Sequence, residues 1–220
     1  MGIWNLNELD PPDGHVLGKG RFKGRKSYRV AETGVTFMEP KRINYQERPV
    51  AFLDIETSGT DPRWADILEI GIVRTDEPEP LELKLPLINP QRAEEEALAI
   101  VGYTEKEWED AVPWGFVAQQ VWDKLAVGSP AIVGHNLFRF DWPVLEWRLR
   151  AMGFPTHLIG RPLIDTLSLA FAHFHGQPDA PANLSLESLC VYYQINPEGV
   201  HRALGGARRC RQIYERLCGH

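Results

Sequence analysis

Two carboxylates separated by one residue stand inside an apolar run, Phe52-Leu53-Asp54-Ile55-Glu56-Thr57-Ser58-Gly59. In an extended chain successive side chains alternate between faces, so Asp54 and Glu56 share one face while Leu53 and Ile55 enter a core on the other. Like charges held that close raise one another's pKa unless a cation neutralises them, and hard oxygen donors suit Mg²⁺ or Mn²⁺. Acids at strand ends also simply face water, so the pair needs company before it means chemistry. Two further segments offer it. In Gly134-His135-Asn136-Leu137-Phe138-Arg139-Phe140-Asp141 a short apolar strand ends, Asn136 begins a turn, and Asp141 falls in the first turn of a helix, where the macrodipole favours an acid in any case. In His201-Arg202-Ala203-Leu204-Gly205-Gly206-Ala207 an imidazole that exchanges protons near neutrality opens the last helix.

The elements that must position these residues follow from periodicity. Apolar strands are predicted over 50–55, 67–75 and 81–88, in the manner of a meander, with shorter ones over 131–134 and 163–165. Helical patterns run over 104–109, 113–125, 139–152, 166–175, 185–193 and 199–217, the third closed by Gly153 and Pro155. Strands first, then strands alternating with helices, predict an α/β fold: a mixed sheet covered by helices, with reactive groups at strand ends. Residues 1–48 read differently. Turn formers at 11–14 lead into residues 15–29, which carry six cations and no acid, and residues 27–38 carry a hairpin signal around Glu32-Thr33-Gly34. They are read as a basic amino-terminal extension to a domain over 49–220.

Composition narrows the classes. The chain has 220 residues, 43% of them apolar and 25% charged, enough to bury a core. Net charge is −6, but residues 1–49 hold nine Lys and Arg against six acids, and the remainder fifteen against twenty-four. An acidic body with basic ends suits a carboxylate-bound cation and a polyanionic substrate. The longest stretch without Asp, Glu, Lys or Arg is 14 residues, 125–138, too short for a membrane span, and the start of the chain carries no secretory signal, so a soluble cytoplasmic protein is expected. Three cysteines without C-x-x-C spacing indicate neither a disulfide framework nor a zinc site. Gly18, Gly20 and Gly24 fit no nucleotide-cradling loop.

Taken in order, the three segments resemble the motifs of the DnaQ-like (DEDDh) 3′–5′ exonucleases of the ribonuclease H-like superfamily, over about residues 50–217. The segment Ala97 to Thr104 is similar to the family's A-x-x-I-H-G-I-T, with Val101 in place of the His, and Leu163-Ile164-Asp165-Thr166 is similar to its fifth-strand end. The resemblance implies a mixed five-stranded sheet flanked by helices, Asp54, Glu56 and Asp141 as metal ligands, and His201 as the catalytic histidine. It implies two Mg²⁺ or Mn²⁺ ions and hydrolysis at the 3′ end of single-stranded DNA or RNA. Thr57, Asn136, Phe140 and Arg202 are the expected substrate contacts; Phe138, Trp142 and Trp64 are further candidates for base stacking, and Arg208, Arg209 and Arg211 for phosphates.

The sequence departs from the family at one position that bears on chemistry. Five residues after the His, where the family carries its fourth carboxylate, stands Gly206. One ion is then expected to bind weakly. Asp165 and Glu198 are the possible substitutes, although Asp165 reads better as a helix cap. The alternative function is a catalytically impaired module that binds nucleic-acid 3′ ends or a protein partner, the latter through residues 1–48.

Overall fold

The computed structural model describes three amino-terminal strands, residues 47–197 and residues 199–219. The chain falls into two compact units, residues 1–46 and 47–220. In the first, β1 (Val16–Phe22), β2 (Arg25–Val30) and β3 (Thr36–Met38) form an antiparallel sheet in the order β1-β2-β3. The hairpin expected over 27–38 corresponds to β2 and β3. Within the basic, glycine-punctuated run Val16–Phe22 is also strand, which its sequence does not announce because it lacks apolar alternation.

The second unit is built on five strands: β4 (Val50–Thr57), β5 (Ile67–Arg74), β6 (Leu81–Lys84), β7 (Ala131–Gly134) and β8 (Leu163–Asp165). Their order is β6-β5-β4-β7-β8, with β4, β5 and β6 antiparallel as a meander and β4, β7 and β8 parallel. The helices are α1 (Glu95–Val101), α2 (Trp114–Ala126), α3 (Asp141–Ala151), α4 (Thr166–Phe174), α5 (Leu186–Tyr193) and α6 (Ala203–Cys218). This is the α/β architecture of the ribonuclease H-like fold. No helix among the described residues is long and apolar enough to cross a membrane.

The two faces of the sheet are packed differently. Leu53 and Ile55 of β4 and Ile70 and Ile72 of β5 join Val121 and Leu125 of α2 and Leu145 and Leu149 of α3 in the main apolar core. The residues of opposite parity face α6: Phe52 and Val133 pack on Ala207 and Cys210. There the helix backbone lies directly on the strands. A Cβ at Gly71 of β5 would stand 2.3 Å from the carbonyl carbon of Ala203, so only glycine lets α6 come this close.

Several elements differ from the sequence reading, the last helix among them, which starts at Ala203 and not at 199, leaving His201 before it. β6 ends at Lys84, not at 88, because Pro86 has no N–H for the ladder, although Leu85 N still donates to Leu68 O at 2.9 Å. Residues 104–109 form hydrogen-bonded turns in place of a helix, with Thr104 Oγ1 accepting from Glu107 N. The helix in this region is α1, which escapes periodicity because Val101 is its one buried residue; Gly102 at φ +71° closes it. The predicted helix over 139–152 begins at Asp141, once the turn from Asn136 has closed.

Candidate active site

β4 brings Asp54 and Glu56 to the α6 side of the sheet, both half-buried. Asp141, 5% exposed, is the first residue of α3, and its Oδ1 accepts from Ile55 N at 3.1 Å, pinning the helix start to the carboxylate strand. Burial and the neighbouring Asp141 and Glu56 charges drive the Asp54 carboxyl well above the usual range. Burial, then Glu69 opposite it on β5, push Glu56 up to about 7. Asp141 is raised by burial, against the pull of the Ile55 N–H. Three acids from two elements therefore repel one another in a partly desolvated place.

His201 lies just before α6 at φ +59°, a left-handed conformation uncommon for a residue with a side chain. What holds it there is Glu69, 1% exposed. Its carboxylate forms an ion pair with Arg202 Nε at 2.7 Å and accepts from Ala203 N at 3.1 Å, tying the start of α6 to β5. Asp54, Glu56, His135, Asn136, Glu187 and His201 face a common cavity of about 580 Å³. An adjoining cavity of about 530 Å³ is lined by Glu56, Thr57, Ile100, Val101, Arg139 and Phe140, among others.

The residues named from sequence thus divide. Asp54, Glu56 and His201 border the main cavity, and Asp141, whose charge acts on Asp54, is tied to their strand through Ile55 N; Asn136, at φ +58°, borders both cavities, and Thr57 and Phe140 border the second. The Thr57 hydroxyl is turned inward, donating to Gly59 O at 2.8 Å. Arg202 stands apart from both cavities, held by Glu69 and lying 5.9 Å from the Trp108 ring centroid. Trp142 packs against the main core. Arg208 is exposed and Arg211 pairs with Glu215 at 2.8 Å. Arg209, by contrast, is 5% exposed and borders the main cavity. Asp165 is the cap its position suggested, its Oδ1 accepting from Leu167 N and Asn136 N, both at 2.9 Å. Glu198 lies outside the described residues.

The sequence assigns no role to Glu69, His135 or Glu187, and offers Arg209 only as one of several arginines for phosphates. Glu69 and Glu187 carry no local motif; Glu69 acquires its role from the register that sets it opposite Glu56.

A side chain at Gly206 would require the Asp54 carboxylate to move. A Cβ there would stand 2.1 Å from Asp54 Oδ2, so the carboxylate occupies the space that a side chain on α6 would take. The donor chemistry fits a hard divalent cation, since three carboxylates with upward-shifted pKa values have an excess of negative charge to share. The side chains are not drawn into a ready ligand set, and among the described residues no group of three or more His, Cys, Asp or Glu is arranged to hold an ion. Asp54 leans on α6 and Asp141 is engaged by Ile55 N.

The profile of the exonuclease family RNase T matches residues 51–214, from the start of the carboxylate strand into the last helix. The chain belongs to this exonuclease family. Curated relatives of the exonuclease domain include the PolC-type DNA polymerase III of Thermotoga petrophila, 29% identical over 184 residues, which are 79% of this chain and 12% of that protein. The Thermotoga maritima counterpart is 30% identical over 175 residues, 75% of this chain and 11% of that one. The chain thus spans about an eighth of the relatives it matches. Among solved structures, Escherichia coli exonuclease I in complex with a dT13 oligonucleotide superposes with a TM-score of 0.65 at 20% identity, over 78% of this chain and 41% of that one. Exonuclease I from Methylocaldum szegediense gives 0.64 at 22% identity, over 77% and 40%. At these identities the likeness speaks for the shared fold.

Proposed function

We propose that this exonuclease domain removes nucleotides from the 3′ end of single-stranded DNA or RNA, with Asp54, Glu56 and Asp141 holding Mg²⁺ or Mn²⁺ and His201 accepting a proton. The observation that carries the reading is the convergence of those three acids, from β4 and α3, beside a cleft that His201 also borders. When bound, the cation polarises the scissile phosphate and screens the carboxylates. His201 takes a proton from water as the water oxygen forms its bond to phosphorus. The bond from phosphorus to the 3′ oxygen of the preceding nucleotide breaks, that oxygen leaves with a proton from solvent, and a nucleoside 5′-monophosphate is released. Phe140, Asn136 and the backbone at Thr57 border the space for the terminal nucleotide. Arg202 is assigned to holding the His201 loop through Glu69 in place of a phosphate contact.

Gly206 supports a second reading, a module that binds 3′ ends with impaired catalysis, because α6 contributes no acid and Asp54 fills the space beside it. Residues 1–48 are then the candidate contact for a protein partner. The two readings separate on one test. A 5′-labelled single-stranded oligonucleotide incubated with Mn²⁺ shortens from its 3′ end if the first holds, and is bound but left intact if the second does.

A further inference from the structure

A third cavity of about 450 Å³ lies beyond the carboxylate cleft, lined by Gly59, Asp61, Trp64, Ala65, Arg92 and Glu94. Gly59 is also a wall of the cavity that contains Glu56, Thr57 and Phe140, so the two spaces meet at the turn that follows the carboxylate strand. Trp64 is 54% exposed, so its indole offers open apolar surface to a ligand. Its ring is not idle: the Arg92 guanidinium sits 4.6 Å from the centroid, which fixes the indole and sets a cation at the cavity edge. The two acids in the lining are already engaged. Asp61 accepts from Arg63 at 2.9 and 2.6 Å, and Glu94 accepts from Thr60 N at 2.9 Å and Thr60 Oγ1 at 3.1 Å.

An aromatic plane and a cation side by side in the lining match a nucleotide whose base stacks on the indole and whose phosphate meets the guanidinium, the two acids being held by Arg63 and Thr60. We propose that this cavity is a second subsite for the substrate strand: one base upstream of the 3′-terminal nucleotide stacks on Trp64 while its phosphate passes Arg92. The proposal rests on the 3′–5′ exonuclease reading, which places the 3′ end beside Glu56.

The test uses the full chain carrying Asp54→Asn to silence cleavage, and fluorescein-labelled oligo-dA probes in which a single abasic residue is walked inward from the 3′ end. With Trp64 present, an abasic residue at one internal position weakens binding by about tenfold, within the span expected for one base-aromatic stack. Trp64→Ala weakens the intact probe by a similar factor and abolishes that position dependence, and Trp64→Phe restores most of it. Because Trp64 is exposed, thermal melting of each variant verifies that the fold is retained. An unchanged affinity in Trp64→Ala, or the same abasic profile with and without the indole, overturns the subsite while leaving the exonuclease reading in place. Failure of the Trp64-containing protein to bind any probe, together with no cleavage by the unsubstituted chain, overturns both.

Discussion

The two faces of the central sheet put the same strands to opposite uses. Toward α2 and α3, β4 and β5 present Leu53, Ile55, Ile70 and Ile72 to a continuous apolar core. Toward α6, Phe52 packs on Ala207 and Cys210, but the next residues of the same parity are Asp54 and Glu56, opposite Gly71 and Glu69, and there the helix rests on glycine and carboxylate. The first face is apolar throughout; the second gives up part of its apolar burial to hold charges where water is partly excluded. Stability and chemistry are therefore separable by substitution, although the two uses alternate residue by residue along β4.

The largest loss of stability is expected from the apolar face. Ile70→Ala removes a fully buried side chain and should cost about 2–5 kcal/mol in denaturant unfolding. Gly71→Ala acts from the other face by pushing the α6 backbone, and should cost about 1–3 kcal/mol, with activity falling alongside because His201 precedes that helix. Gly206→Ala meets the Asp54 carboxylate and not a backbone, so it should change stability by less than Gly71→Ala yet lower nuclease activity more than its stability loss accounts for. A Gly206→Ala variant that is as destabilised as Gly71→Ala would show that α6 cannot absorb a side chain at either glycine, and the contrast between the two would be lost.

The smallest effect sharpens the electrostatic side of the comparison. Glu56, with its pKa raised to about 7, holds its proton more tightly in the folded chain than in the unfolded one. Its contribution to stability is thus present below the unfolded carboxylate pKa and is lost as pH rises through about 7. Glu56→Gln should then melt higher than the parent at pH 8 and lose that advantage at pH 4, and Mn²⁺ should narrow the difference at pH 8. A melting difference that does not change with pH would mean Glu56 is not held against repulsion.

Much of this was legible in the sequence, and the rest was hidden for definite reasons. The alternation in Leu53-Asp54-Ile55-Glu56 places both acids on one face because strand geometry has a period of two. Asp165 announces itself as a cap because capping is a local matter. α1 is invisible to periodicity because Val101 is its one buried residue, and the place of Ile100 and Val101 in a cavity wall emerges only from the fold. Gly71 and Glu69 gain their meaning only when α6 is laid on β5, a contact between residues more than 130 positions apart. Arg209 looks like one more cation in a basic helix until burial sets it beside the acids.

The central claim is that the acids of β4 and α3, with His201, make this face of the sheet a 3′–5′ nuclease. The most direct measurement is a time course of a 5′-labelled single-stranded oligonucleotide in Mn²⁺ with the unsubstituted chain and with Asp54→Asn, whose folding is checked by melting. The account predicts a ladder shortening from the 3′ end that disappears in the folded Asp54→Asn variant. An undiminished ladder in that variant would contradict it.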